Sequence, residues 1–98
     1  MSHALTYEQL LATARSLNGR ILQTVTGKEF QVGVYLDCPF FIPLSTGQGR
    51  SDGRLAAERF VGRYNEIGSV RPADYQDLTR NASYFVVLAE IASREREG

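Results

Sequence analysis

Residues 30–36 alternate strictly between apolar side chains and glutamine, glycine or tyrosine. An α-helix cannot bury such a pattern on one face because its period is 3.6 rather than two. The segment therefore predicts a β-strand with one face against a core. The apolar positions are Phe30, Val32, Val34 and Leu36.

Two further segments on either side predict a small sheet. Residues 20–26 are rich in β-branched side chains, and residues 40–44 form another apolar run. Gly27-Lys28 fits a two-residue type II′ turn, and Asp37-Cys38-Pro39 predicts a second turn. Together these features predict a three-stranded antiparallel meander.

Alternate side chains of a strand share a face, so the alternation also predicts which residues face the core. On this basis Tyr35 and Phe41 lie on the outer face of the sheet. The predicted inner face consists of Phe30, Val32, Val34, Leu36, Phe40, Ile42 and Leu44.

A helix precedes the sheet. Thr6 and Gln9 form a capping-box pattern, which predicts a helix from about Tyr7 to Leu17. Asn18-Gly19 supplies residues that tolerate the left-handed conformation at a helix end.

Helices also follow the sheet. Residues 45–53 are turn formers without an apolar anchor and predict a mobile loop, after which Ser51 or Asp52 caps a helix over residues 54–67. Gly68 is its expected C-terminal glycine, and Pro72 begins a short helix with Tyr75 and Leu78 facing inward. The predicted buried stripe of the second helix is Ala56, Phe60, Tyr64 and Ile67.

The last helix is expected to begin near Asn81, and it is apolar around most of its circumference. Only Ser83, Glu90 and Arg94 form a narrow polar sector. Such a helix is either central in the fold or in contact with another chain. The residues proposed for self-association are Tyr84, Val87, Leu88 and Ile91.

The predicted fold class is α+β: an N-terminal helix, the meander, then two longer helices flanking a short one, all in one domain over residues 1–98. No apolar run approaches the roughly 18 residues that span a bilayer, so no membrane association is expected. No secretory signal is visible, and a lone Cys38 agrees with a cytoplasmic location.

The composition offers few residues that could act in catalysis or bind a metal ion. The only histidine is His3, close to the N-terminus, and Cys38 follows an acidic neighbour that opposes thiolate formation. Structural zinc needs about four Cys or His ligands, whereas the chain has two such residues. We therefore expect no enzyme, no metal and no cofactor. Asp74 and Asp77 are read as helix-capping and solvated acids.

Arginine dominates the basic residues, with ten of the eleven, although the formal net charge is zero. Arginine suits bidentate phosphate contacts, and free N–H groups at a helix start attract anions. Two interpretations stay open: a solvated face of mixed charge, or an anion or nucleic-acid site near the second helix. The candidate residues of that site are Arg50, Ser51, Arg54, Arg71 and Arg80.

The segment from Leu17 to Phe30, together with Phe41–Gly47, resembles small uncharacterised α+β domains carried on bacterial mobile gene cassettes. Residues 71–84 share this resemblance. It implies no known activity and transfers no functional residue. Similar domains sometimes accompany restriction systems, which is a further reason to consider nucleic acid.

The functional expectation is a non-enzymatic protein-interaction module that forms a homo-oligomer, a dimer, through its last helix and an edge strand. The alternatives are nucleic-acid binding through the arginines and a small anionic ligand held by residues 45–54.

Overall fold

The structure is a computed structural model that describes residues 4–97, with side chains described through residue 95. It confirms the predicted α+β fold and the order of its elements. These are α1 (Tyr7–Ser16), β1 (Ile21–Gln23), β2 (Glu29–Tyr35), β3 (Cys38–Pro43), α2 (Gly53–Ile67), a 3₁₀ helix (Pro72–Tyr75) and α3 (Ala82–Glu97).

The predicted capping box starts α1. The backbone N–H of Gln9 donates to Thr6 Oγ1, and the Gln9 side chain accepts from the Thr6 backbone. Two orphan donors of the first turn are thereby satisfied. The helix ends at Ser16 with Leu17 as its C-cap, as the sequence indicates.

The three strands form an antiparallel sheet in the order β1-β2-β3. The predicted face of β3 is wrong. Phe41 lies directly opposite Val32 and is fully buried, whereas Phe40 and Ile42 lie on the other face and are only partly buried. Directly paired residues share a face. The observed inner face is Leu22, Phe30, Val32, Val34, Pro39, Phe41 and Pro43.

The face of β3 differs from the prediction because its turn lies elsewhere. The β2–β3 turn is the pair Leu36-Asp37, both with positive φ, so the strand resumes at Cys38. Leu36 and Leu44, predicted to face the core, are therefore exposed. A two-residue turn with both residues left-handed has type I′ geometry.

The β1–β2 turn also differs from the predicted type II′ turn. Its loop is residues 25–27, closed by hydrogen bonds from Gly27 N to Thr24 O and from Thr24 N to Lys28 O at 2.9 and 2.8 Å. Gly27 has φ 89°, the left-handed position that ends a three-residue hairpin loop.

α2 ends as predicted, with Gly68 in the left-handed conformation and its N–H bonded to Tyr64 O. The buried stripe is rotated from the predicted one. Phe60 is buried as expected, but Ala57 and Val61 are the other buried residues of the helix, and Ile67 is exposed. Tyr75 of the 3₁₀ helix is buried and Leu78 is partly buried, as predicted.

α3 is the central helix of the fold. It packs against α1, α2 and the 3₁₀ helix. The ring centroid of Phe85 lies 5.1 Å from that of Phe41 on the sheet. Of the two alternatives left open by the sequence, the described residues favour enclosure within one chain. No helix in residues 4–97 is both long and apolar enough to cross a membrane.

Candidate functional site: an arginine cavity at the start of α3

The loop after β3 is hydrogen-bonded to that strand, which corrects the prediction of an unanchored segment. The backbones of Arg50 and Phe41 exchange two hydrogen bonds, at 2.7 and 3.0 Å. Gly49 lies against the ring of Phe40, so closely that an added Cβ would overlap the ring. The free edge of β3 is thereby partly covered, and Arg50 has a defined backbone position.

Asp52 ties this loop to the segment before α3. Its Oδ2 accepts a hydrogen bond from Thr79 Oγ1 and another from the backbone N–H of Arg80 at 3.1 Å. Asp52 precedes α2 but makes no side-chain capping bond to that helix. Asp52, one of the two predicted caps of α2, therefore binds Thr79, which is 27 residues away in sequence.

A cavity of about 370 Å³ lies where the two segments meet. Its walls are Gly49, Arg50, Ser51, Asp52, Arg80 and Asn81. Three of the five residues predicted for an anion site, Arg50, Ser51 and Arg80, are thus brought together although 30 positions separate the arginines.

The arginines of this cavity have no carboxylate partner among the side chains that the structure describes. Within the side chains described through residue 95, neither Arg50 nor Arg80 takes part in an ion pair. Both residues are exposed, so their guanidinium charges are available to a ligand.

The cavity also lies at the N-terminus of α3. The backbone carbonyl of Asn81 accepts from Tyr84 N and Phe85 N, both at 3.0 Å, and so begins the helix. A helix of this length carries a partial positive charge of about one half at its N-terminus. Asn81 itself is only 2% exposed, and its Oδ1 has no hydrogen-bond partner among the described residues. The predicted cap residue is therefore in place, but its side-chain oxygen is unsatisfied.

The other two predicted anion-binding residues lie outside the cavity and have other partners. Arg54 pairs with Glu58 at 3.3 Å and Glu8 at 3.8 Å, and its guanidinium lies 4.7 Å from the ring centroid of Tyr7. Arg71 pairs with Asp74 at 3.9 Å. The five residues therefore do not form one patch.

Asn81 is a cavity residue that the sequence does not assign to an anion site, whereas Gly49 and Asp52 belong to the segment 45–54 that was expected to hold a small anionic ligand as one alternative. Asp52 and Asn81 each carry a capping signal, which is a local property of the chain. Nothing in the sequence indicates that the two cap positions would meet.

Of the four residues proposed for self-association, Leu88 is buried and the other three are partly buried. Leu88 is 0% exposed. The ring centroid of Tyr84 lies 4.7 Å from that of Phe30 and 5.5 Å from that of Phe41. Val87 and Ile91 are partly buried. The expectation that α3 exceeds what one chain can cover is wrong for Leu88, which the rest of the chain buries completely, whereas Tyr84 is partly buried against the sheet.

Val87 also lines a groove of about 290 Å³ beside the β1–β2 turn. The exposed side chains of Val25 and Val70 lie on the same groove, with Glu90 and Arg94 at its polar end. Glu90 accepts a hydrogen bond from the Tyr64 hydroxyl at 2.5 Å. At this groove the apolar surface of α3 is continuous with exposed valines of other segments.

Residues considered for catalysis are otherwise engaged or lie outside the structure. The thiol of Cys38 is buried and lies 3.3 Å from the Tyr7 hydroxyl, whereas His3 is outside the described residues. No group of three His, Cys, Asp or Glu side chains in the described part of the chain is arranged to hold a metal ion.

Asp74 and Asp77 bind different partners and do not form a carboxylate pair. Asp74 accepts from the Ser69 hydroxyl, while Asp77 accepts from Arg63 at 2.5 Å. The hydrogen bond from Arg63 lowers the pKa of the Asp77 carboxyl. Both acids therefore hold the connection between α2 and the 3₁₀ helix.

Comparison with known proteins adds no relative to this picture. No protein-family model, no curated protein and no solved structure matches the chain. The resemblance to cassette-borne domains accordingly stays a prediction.

Proposed function

We propose that this chain is a non-enzymatic binding module that recognises a phosphate group in the arginine cavity. The observation that carries the proposal is the meeting of Arg50 and Arg80, both without a carboxylate partner in the described residues, at the start of a 16-residue helix. Guanidinium groups bind phosphate oxygens bidentately, and the N-terminus of a helix favours negative charge. The Ser51 hydroxyl supplies a further donor at the same wall.

A single phosphate group suits this cavity better than an extended nucleic-acid backbone does. Affinity for nucleic acid depends on several neutralised phosphates, which requires a stripe of unpaired basic side chains. Here Arg54 and Arg71 are paired with carboxylates, and the formal net charge is zero. Nucleic acid and a small phosphate ester both present a phosphate group, so the test includes both kinds of ligand.

The test is isothermal titration calorimetry with inorganic phosphate, followed by gel shifts with single- and double-stranded oligonucleotides at two salt concentrations. Arg50→Ala and Arg80→Ala should each weaken phosphate binding about 10-fold or more, since hydrogen bonds to charged groups contribute about 1.5–3 kcal/mol. The fold should survive, because the structural hydrogen bonds of both residues come from the backbone.

Arg59→Ala is the matched control, since Arg59 is exposed on α2 and lies outside the cavity. It removes the same charge and should leave the affinity unchanged. Absence of phosphate binding, or equal losses in all three variants, contradicts the proposal. A gel shift that fades steeply with salt would indicate nucleic acid as the source of the phosphate.

Self-association is the second candidate function, now through the groove rather than the buried side of α3. Its supporting observation is the apolar lining formed by Val25, Val70 and Val87, of which the first two are exposed. Sedimentation velocity at micromolar concentration tests it. If a dimer forms here, Val25→Asp shifts it to monomer, whereas Leu55→Asp, at an equally exposed position on α2, does not. A monomer at all concentrations contradicts this candidate.

A further inference from the structure

The two edges of the sheet differ in what they offer to another strand, and the edge formed by β3 is protected. Phe41 exchanges two backbone hydrogen bonds with Arg50, on the side of β3 that faces away from β2. Because the backbone groups of a strand alternate in direction, those of Pro39 and Pro43 point to the same side. Proline has no N–H group, so β3 presents no free donor along this edge. Prolines protect natural sheet edges from pairing in this way.

The opposite edge, formed by β1, is open. Thr24 N donates to Lys28 O across the hairpin, so by the same alternation the backbone groups of Ile21 and Gln23 point away from β2. These N–H and C=O groups have no hydrogen-bond partner among the described residues. β1 contains no proline and no charged residue, and the Ile21 side chain is 53% exposed. The edge is therefore a template for a further strand.

One open and one protected edge favour a second copy of this chain as the partner. If two copies pair through β1 about a two-fold axis, both open edges are used at once. The edges that remain are those that Pro39 and Pro43 protect. Pairing therefore ends at a closed dimer and does not continue into a fibre.

The sequence of β1 suits antiparallel pairing with itself. With the two-fold axis at Leu22, the middle residue of the strand, Ile21 lies opposite Gln23 of the second copy and exchanges two hydrogen bonds with it. Symmetry makes this four hydrogen bonds in all. Leu22 then faces Leu22 of the second copy on the inner face of the sheet, where each lies beside its own Phe30. The apolar row of the inner face thus continues across the axis.

The same register brings opposite charges together. It places Arg20 opposite Thr24 of the second copy, and Thr24 lines the groove that also contains Glu90. Arg20 is exposed, and neither Arg20 nor Glu90 forms an ion pair among the described side chains. Arg94, the other charged residue of the groove, donates to the Glu90 backbone carbonyl. The Glu90 carboxylate of each copy is therefore available to Arg20 of the other.

We propose that the chain forms a two-fold dimer in which β1 of each copy pairs antiparallel with β1 of the other, so that the two three-stranded sheets become one. This inference rests on the second candidate function, self-association, and names its interface and register. It does not depend on phosphate recognition. Interfaces below about 1,200 Å² are typical of weak complexes, so a dimer held by one short strand dissociates on dilution.

Cross-linking tests the register. In a non-hydrogen-bonded antiparallel pair the two Cα atoms are about 4.5 Å apart, which is within the range of a disulfide. Leu22→Cys should therefore give a disulfide-linked dimer on mild oxidation, visible on a non-reducing gel. Gln23→Cys is the matched control, because its two copies are offset by about 7 Å along the strand and are too far apart to be bridged. The buried Cys38 is present in both variants.

Gln23→Pro tests the open edge without an added cysteine. The substitution removes an N–H group that points away from β2, so the fold should survive while pairing with a second copy is blocked. Gln23→Ala removes the same side chain but keeps the N–H group. Sedimentation velocity over a range of concentrations should show loss of the dimer in Gln23→Pro and its persistence in Gln23→Ala. Circular dichroism checks that both variants are folded.

The outcomes separate the β1 interface from self-association as such. The β1 interface is overturned if the dimer persists in folded Gln23→Pro, or if a dimeric Leu22→Cys variant is not cross-linked. Cross-linking through Gln23→Cys instead would overturn the register. All three results leave self-association intact, whereas an unmodified protein that is monomeric at every concentration overturns self-association as well.

Discussion

Two adjacent residues at the β2–β3 turn have a backbone conformation that is rare outside glycine. Leu36 has φ 51° and Asp37 has φ 59°, in the left-handed region that costs an L-residue about 1–2 kcal/mol. The Leu36 side chain is 79% exposed, so burial does not offset this cost. Asp37 is held from α1, where the Tyr7 hydroxyl donates to its carbonyl and Arg15 pairs with its carboxylate at 2.8 Å.

Leu36→Asn should stabilise the protein by about 1 kcal/mol, because asparagine adopts the left-handed region at lower cost and is favoured in type I′ turns. Urea denaturation measures the change. Leu44→Asn is the control, since Leu44 is also exposed but has no positive φ. A loss of stability in Leu36→Asn would show that the leucine side chain contributes contacts that its exposure does not suggest.

Among the elements, β3 and the loop behind it differ most from the sequence-based expectation. The strand type was predictable from its apolar run, but its inner face was not, because leucine at position 36 gives no turn signal. The observed turn has two residues, Leu36-Asp37, in place of the predicted three, and such a change shifts the pairing of β3 with β2 by an odd number of residues, which exchanges the two faces of the strand. The loop after β3 was predicted to be mobile because it has no apolar side chain to anchor it. Its contact with the sheet is made by the backbone of Gly49 against the Phe40 ring, and a pattern of side chains does not predict such a contact.

Gly49→Ala should destabilise the protein by about 1–3 kcal/mol, the range for inserting a methyl group into packed space. It should also weaken phosphate binding, because the loop carries Arg50 and Ser51 into the cavity. Denaturation and calorimetry measure the two effects.

Gly62→Ala is the matched control for this change. Gly62 lies within α2, and an added Cβ meets nothing within 4 Å. This variant should gain about 0.5–1 kcal/mol from helix propensity and keep the affinity for phosphate. Equal behaviour of the two alanine variants would contradict the close packing of Gly49.

Across the whole molecule, ion pairs distribute a balanced set of charges unevenly. Arg15, Arg54, Arg63 and Arg71 pair with carboxylates, whereas Arg20, Arg50, Arg59, Arg80 and Arg94 form no ion pair among the described side chains. Arg50 and Arg80 line the same cavity, so a chain of zero net charge brings two unpaired arginines together there. The packing of the chain also buries part of the apolar surface of α3, including Leu88, on which the expectation of a dimer was based.

Two tyrosines should make the stability of the whole chain sensitive to alkaline pH. Burial raises the pKa of Tyr7, with a further rise from the neighbouring Cys38, and burial also raises the pKa of Tyr75. Above about pH 10 the unfolded chain loses these protons while the folded chain retains them. The contribution of the two protonated tyrosines to the free energy of unfolding is therefore complete below about pH 10 and is lost as the pH rises beyond that value.

The measurement is the Tm of the protein between pH 8 and pH 11. Tyr7→Phe should lower the Tm at pH 8, because the hydrogen bond to Asp37 is gone, and should flatten the alkaline decline. Tyr35→Phe, at an exposed position, should keep the decline of the unmodified protein. An unchanged slope in Tyr7→Phe would contradict the link between Tyr7 and alkaline unfolding.

The kinds of element, their order and several of their ends follow from local sequence. Some features depend only on residues close together in the chain, and these can be predicted from the sequence alone. They are the capping box at Thr6, the alternation along β2 and the terminal glycine of α2. The face of β3 depends on the turn at Leu36-Asp37, which leucine does not signal, whereas the burial of Leu88 and the meeting of Arg50 with Arg80 depend on packing between segments tens of residues apart. Periodicity and propensity carry no information about such distances, which is why these features emerge only from the folded chain.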